Sequence, residues 1–191
     1  ELRDSDSPIA LIRRFDRRGD IRIPYISART ALDWQGDEGG YYTDIADVIR
    51  QISSKPVDDL HELWRRIVFT ILVSNKDDHL KNHGFIYAGR DRWRLSPAFD
   101  INPSPSRHRI LETGIVQGGS FDASLDIALD ACEFFDLALA DAKQQAFVMA
   151  TTIANKWKQA LRDEGASSDD VRTYGEAFEH TAAEKAMRMN D

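Results

Sequence analysis

At 191 residues the chain has the size of one domain, and a chain that long buries roughly 70% of the surface its unfolded form exposes. Its 42% hydrophobic and 30% charged content excludes wholesale disorder. No apolar run approaches the ~20 residues of a membrane span, so a soluble, cytoplasmic protein is expected. The net charge of −7 speaks against direct nucleic-acid binding, which needs a basic face to displace counterions. The arginines are nevertheless uneven: Arg13, Arg14, Arg17, Arg18 and Arg22 crowd the start, and Arg90, Arg92, Arg94, Arg107 and Arg109 flank the middle. The one cysteine, Cys132, sits among Ala131, Phe134 and Phe135 and is expected in the core. A start at Glu1 that leads almost at once into an apolar run suggests a piece of something longer.

Pro8 to Phe15 reads as a buried strand and Ile21 to Tyr25 as its partner across a turn at Arg18-Gly19-Asp20. A short helical stretch around Ser27 to Leu32 and a loop over Gln35 to Gly40 come next. Thr43 is expected to cap a helix that runs to about Ser53, with Pro56 marking its end. Leu60, Leu63, Trp64, Ile67, Val68, Ile71 and Leu72 then recur at helical spacing behind Asp58 and Asp59, predicting a helix with a buried face. Asn75 to Gly84 is a polar loop, Phe85 to Tyr87 and Trp93 to Leu95 are short strands, and Pro97, Pro103 and Pro105 forbid regular structure beyond them. After Ser120 the pattern is helical. Ala146, Phe147, Ala150, Ile153, Ala154 and Trp157 form one stripe ending at Gly165, and a last acidic helix is expected from about Ser168 to Met189.

The informative loop is Asn75-Lys76-Asp77-Asp78-His79-Leu80-Lys81-Asn82-His83-Gly84, between a helix and a strand. An aspartate followed five residues later by an asparagine is the spacing of a kinase catalytic loop. The carboxylate there meets the attacking hydroxyl, while the amide oxygen reaches back to a Mg²⁺ bridging the phosphates. A second metal ligand should be a carboxylate after a short hairpin, because Mg²⁺ takes oxygen donors and usually only one or two from protein. Asp100, in Ser96-Pro97-Ala98-Phe99-Asp100-Ile101, stands there. Turn chemistry alone often puts aspartate and asparagine in loops. The conjunction of His79 and Lys81 inside the loop with Asp100 beyond it favours the chemical reading.

Asp77, His79, Lys81 and Asn82, followed by Arg94-Leu95-Ser96-Pro97-Ala98-Phe99-Asp100-Ile101, resemble the HipA-like kinase family. Its loop has the form D-x-H-x-K-N and its metal aspartate lies in R-L-[ST]-P-x-[FY]-D-[IL]. Arg14-Phe15-Asp16-Arg17 is similar to the family's R-F-D-R segment at the hinge beside the adenine. The resemblance implies a mainly α (α+β) fold, a protein-kinase-like C-lobe with short β-hairpins and most of the N-lobe absent. Residues 1–26 would form a hinge-adjacent hairpin and residues 27–191 the helical lobe, with catalytic loop 75–84 and metal segment 96–103. It implies ATP and Mg²⁺ as cofactors, Asp77 as catalytic aspartate, Asn82 and Asp100 on the metal, His79 and Lys81 against the phosphates, and Arg14 and Phe15 near the nucleotide.

The family further implies serine/threonine phosphorylation by a toxin of a toxin–antitoxin pair. Its partner would be a HipB-like helix-turn-helix antitoxin, and its substrate a translation factor such as an aminoacyl-tRNA synthetase. Only about a dozen residues precede Arg14, too few for the phosphate-covering loop and ATP-contacting lysine of the family. The expectation is weak nucleotide binding and little transfer by these residues alone, unless a separate chain supplies the missing lobe. Asp78 competes with Asp77 as the base, and the five-residue spacing to Asn82 decides only modestly for Asp77. Arg107, His108 and Arg109 are further candidates for contact with phosphate or substrate. Two alternatives stand beside this reading: a kinase-derived module that docks an antitoxin or another subunit, and a small-molecule kinase of the aminoglycoside or choline type, although Ser74, Asn75 and Lys76 replace the H-x-D usual there. His79 and His83 lack the glutamate of an H-E-x-x-H zinc helix.

Overall fold

The computed structural model describes residues 12–36, 39–106 and 108–189. In chain order its elements are β1 (Arg17–Arg18), β2 (Ile21–Arg22), β3 (Tyr25–Ser27), α1 (Ala28–Ala31), α2 (Tyr42–Ile52), α3 (Pro56–Leu72), β4 (Gly84–Gly89), β5 (Arg92–Leu95), α4 (Leu125–Asp130), a 3₁₀ turn (Cys132–Phe135), α5 (Leu139–Asp163), α6 (Ser168–Phe178) and α7 (Thr181–Met187).

Helix α3 is the axis of the molecule. Pro56 occupies its first turn, where a missing N–H costs nothing, and Asp58 and Asp59 stand in the same turn against the positive end of the helix dipole. Leu60, Leu63, Trp64, Ile67, Val68, Ile71 and Leu72 are all buried, as their spacing predicts. Burying a side chain of that kind stabilises by about 1.5–3 kcal/mol. The Trp64 indole N–H also donates to the Ala128 carbonyl at 2.7 Å, fixing α4 across the helix. Trp157 and Cys132 are core residues as well, at 6% and 2% exposure.

The sheets are small. β3, β4 and β5 form one antiparallel sheet in that order, with Ile26 opposite Phe85 and Ile86 opposite Arg94. β1 and β2 make a separate hairpin, pairing Arg17 with Arg22. This corrects the entrance hairpin. Residues 8–11 of the expected first strand lie outside the described residues, Ile12 is 78% exposed, and 12–14 are not strand. The turn is centred on Gly19 at φ +59°, a conformation that glycine adopts without strain. Pro24 has no N–H and breaks the expected Ile21–Tyr25 strand. The chain leaves β1 there, and Tyr25 pairs with Ile86 instead.

Two further boundaries differ. Thr43 lies inside α2, where its hydroxyl accepts from the Gln117 N–H at 3.0 Å. The cap position belongs to Tyr41, whose bridge to Gly114 holds the helix start. The expected last helix is two helices. His180 caps α7, accepting from the Ala183 N–H at 3.4 Å through one ring nitrogen, and its other nitrogen lies 3.2 Å from the Leu72 carbonyl. Trp157 and Phe178 stack at 4.7 Å and anchor the end of α6 on α5. No helix among the described residues is long and apolar enough to cross a membrane.

Candidate active site

At the C-terminus of α3 the chain turns sharply through Ser74 at φ +55° and enters the polar loop. That loop has an inner and an outer rank. Asn75, Asp78, Asn82 and His83 are at most 5% exposed, whereas the Asp77 side chain is 68% exposed and Lys81 is exposed beside it. Asp78 accepts from the Tyr42 hydroxyl and from the Thr70 hydroxyl at 3.0 Å, and His83 Nε2 lies 3.0 Å from its other oxygen. Burial by itself would push the Asp78 carboxyl up, but His83, Tyr42 and Thr70 together outweigh burial and hold it below the usual carboxylate range. The same packing drives the Tyr42 phenol well above its ordinary value, through burial first and then the adjacent carboxylate. Thr113 donates to the Asp78 carbonyl at 2.7 Å, so both ends of this residue are committed.

Asn82 is positioned by its own loop. Its backbone N–H donates to the His79 carbonyl at 2.8 Å, and its side-chain NH₂ donates to the Asp77 carbonyl at 2.7 Å. The amide oxygen is not used in either bond.

The segment bearing Asp100 arrives from the β4–β5 hairpin and is tied to α3 through Asp59. That buried carboxylate takes Arg94 at 2.7–2.9 Å, the Leu95 N–H at 3.0 Å and the Ser53 hydroxyl at 2.6 Å. Arg94 is held above its ordinary value chiefly by hydrogen bonding to Asp59. The segment then runs beside the 75–84 loop, fastened at both ends. The Ser96 N–H donates to the Gly84 carbonyl at 2.8 Å, Asn75 bridges Pro103, and the Ser104 N–H donates to the Ser74 carbonyl at 3.2 Å. Between the fastenings Asp100 takes a left-handed φ of +56° and is exposed, with the Asn102 amide 3.0 Å from one carboxylate oxygen.

A cleft of ≈ 610 Å³ opens here, lined by Arg14, Phe15, Tyr25, Lys81, Phe99 and Asp100 among others. The rings of Phe15, Tyr25 and Phe99 form one cluster, with centroids 5.6 to 6.4 Å apart. Phe99 therefore packs against the entrance region as well as flanking Asp100. Arg14 is paired with Asp16 at 2.7 Å.

The sequence-predicted residues are thus not all in one place. Lys81, Asp100, Arg14 and Phe15 share the cleft, while Asn82 borders a small void behind it, against Phe99 and Ile101. His79 lines a separate recess with Trp34 and Leu80, its Nε2 4.0 Å from Asp77. The two histidines of the loop stand against different carboxylates, His79 against Asp77 and His83 against Asp78.

Arg109 is not offered to the cleft. It donates to the Ser74 hydroxyl and, at 2.8 Å, to the Glu176 carbonyl, tying α6 to the loop entrance. Arg107 lies outside the described residues, and His108 is exposed. Sequence reasoning missed Tyr42, Thr70, Asp59 and Thr113. Thr70 alone left a signal, as a polar residue interrupting the apolar stretch of α3.

The arrangement is mixed α+β and mainly helical, with two small antiparallel sheets and paired loops. The model of the HipA-like C-terminal domain matches residues 1–186, and the chain belongs to that family. Among curated relatives, "Putative kinase Y4dM" of Sinorhizobium fredii is 37% identical over 94 residues, 47% of this chain and 22% of that protein. A "Putative kinase" of Haemophilus influenzae is 34% identical over 67 residues, 34% of this chain and 20% of that protein. The chain thus spans about a fifth of the length of these relatives. A solved complex of Shewanella oneidensis HipA, HipB and operator DNA contains a chain that superposes with a TM-score of 0.65 at 17% identity, covering 92% of this chain and 46% of that one.

Proposed function

We propose that this chain is the catalytic lobe of a serine/threonine kinase that transfers the γ-phosphate of ATP to a protein hydroxyl. The observation carrying the reading is the side-by-side fastening of loops 75–84 and 96–104, which brings Lys81 and Asp100 into one cleft, with Asp77 exposed on the same loop as Lys81. Asp77 is the exposed member of the aspartate pair. It orients the substrate hydroxyl and accepts its proton as the new O–P bond forms. Lys81 supplies positive charge to the phosphates from the cleft wall. His79 Nε2 lies 4.0 Å from Asp77 and lines a recess that Lys81 shares, so it would act beside Lys81 at the phosphate end of the site.

The donor types are those magnesium takes, with Asp100 on the cleft and Asn82 at the void behind it. Asp100 offers an exposed carboxylate, and Asn82 keeps an amide oxygen after its NH₂ is spent on Asp77. A hard cation that takes one or two protein oxygens and completes its shell with phosphate and water suits this pair. Bound there, Mg²⁺ would neutralise the charge on the β- and γ-phosphates. Phe15 with its aromatic neighbours, and Arg14, would receive the base end of the nucleotide.

The structural neighbour is a toxin assembled with HipB and operator DNA. Its assembly supports a toxin–antitoxin role for this protein with a HipB-like helix-turn-helix antitoxin as partner; a cytoplasmic setting and a translation factor such as an aminoacyl-tRNA synthetase as substrate are what the family resemblance implies. Activity belongs to the whole kinase, with residues 27–191 as one lobe, residues 1–26 at the hinge and an N-terminal lobe supplied in the same or a separate chain.

Titration calorimetry of ATP with and without magnesium, on the lobe-complete wild-type kinase and its Asp100→Ala variant, tests the reading. Wild-type binding is expected to require magnesium, and the variant to lose about tenfold or more in affinity, the ~1.5–3 kcal/mol of one charged contact. Nucleotide binding indifferent to both magnesium and Asp100 would overturn it.

A further inference from the structure

Behind the catalytic loop, three segments of the chain meet around a void of ≈ 10 Å³. It is bounded by Arg66 and Thr70 of α3, by Asn82 and His83 of the loop, and by Phe99 and Ile101 of the Asp100 segment. Arg66 and His83 are 8% and 2% exposed. The Arg66 guanidinium is only partly satisfied: Nε donates to Glu62 at 3.1 Å and Nη2 to the Ser96 carbonyl, while Nη1 is buried without a partner. The His83 ring is in the same condition. Nε2 is 3.0 Å from Asp78 but makes no aligned hydrogen bond to it, and Nδ1 has no acceptor or donor.

A guanidinium cannot give up its charge to relieve such a position, and a buried charged N–H without an acceptor is among the costliest polar defects. We propose that the void holds one ordered water that accepts from Arg66 Nη1 and donates to a His83 ring nitrogen. The size fits, since a space of about 10–15 Å³ admits a single water. The charges also select it. Arg66 on one side disfavours a cation and the Asp78 carboxylate on the other disfavours an anion, while a neutral molecule that both donates and accepts satisfies the two orphaned groups.

This water would join α3 to the catalytic loop at His83, next to Asn82, in a void that the Asp100 segment also walls. Arg66 thereby becomes a positioning residue: it holds the Ser96 carbonyl with one nitrogen and, through the water, His83 beside Asn82 with another. The water stands on geometry alone, whereas its consequence for Asn82 rests on the kinase reading.

The test is a high-resolution crystal structure of the wild-type chain. It should show a well-ordered peak within hydrogen-bonding distance of both Arg66 Nη1 and a His83 ring nitrogen. A dry void, or Nη1 bonded directly to a protein acceptor, overturns the proposal. The consequence is read from the magnesium concentration giving half-maximal nucleotide binding. It should rise several-fold in Arg66→Met and recover in Arg66→Lys, which keeps a donor. A shift in Asp100→Ala with none in Arg66→Met would leave the kinase reading standing and sink the brace. Wild type that shows no magnesium dependence would sink the kinase reading, and the density would still decide the water.

Discussion

Asp77 and Asp78 are neighbours in sequence and opposites in circumstance. Asp78 is buried, its side chain faces Tyr42, Thr70 and His83, and its carbonyl is held by Thr113. Asp77 leaves its carboxylate in the open, and only its carbonyl is fixed, by Asn82. The difference teaches how one turn of chain does two jobs. A carboxylate surrounded by donors is stabilised as an anion and cannot reach a substrate; an exposed one is free to exchange a proton with it. On the proposed function, loop stability and loop chemistry are carried by adjacent residues.

The comparison can be broken most visibly by activity. With an N-terminal lobe supplied, Asp77→Asn is expected to lower phosphoryl transfer by ~10²–10⁴-fold, the range for a positioned general base, while its melting temperature stays at the wild-type value. The reverse pattern is expected inside. Asp78→Ala strands the Tyr42 and Thr70 hydroxyls and His83, and should cost about 3 kcal/mol in denaturant unfolding.

Acid sharpens the contrast further. Because the folded Asp78 pKa is depressed, its stabilisation is complete above the unfolded carboxylate value of about 3.9 and is lost as pH falls through the lower folded value. As pH falls from about 3.9 toward that lower value, wild type should therefore lose stability more steeply than Asp78→Asn does, in urea titrations run at successive pH values.

A smaller effect lies at the wall of the loop. A Cβ on Gly40 would sit 2.6 Å from Leu80, at a φ of +95°. Gly40→Ala should lower stability by roughly 1–3 kcal/mol, as strained left-handed positions do, which thermal melting will register.

Much of this was legible in the residues. The repeat of Leu60 through Leu72 gave α3, because a helix pressed on all its inner face must repeat its apolar side chains. The loop and the Asp100 segment were legible because their residue types are uncommon in combination. The division between Asp77 and Asp78 was not. It depends on Tyr42, brought from α2 by the fold, whereas spacing favours Asp77 only modestly and says nothing of the burial of Asp78. The break before His180 carries no glycine or proline, and the contacts that fix it, Phe178 on Trp157 and His180 against Leu72, are tertiary. Strands β1 and β2 are two residues each, too short to show alternation. Arg109 looked like a free cation near a phosphate site, yet its partners, Ser74 and Glu176, are distant in sequence.

The most direct measurement pairs Asp77→Asn with Asp78→Asn in a lobe-complete kinase, recording phosphoryl transfer and melting temperature on the same samples. The first variant should keep the melting temperature and lose transfer, and the second should melt lower and retain transfer in its folded fraction. Transfer that survives in Asp77→Asn and vanishes in a fully folded Asp78→Asn would contradict the assignment of the outer carboxylate to chemistry.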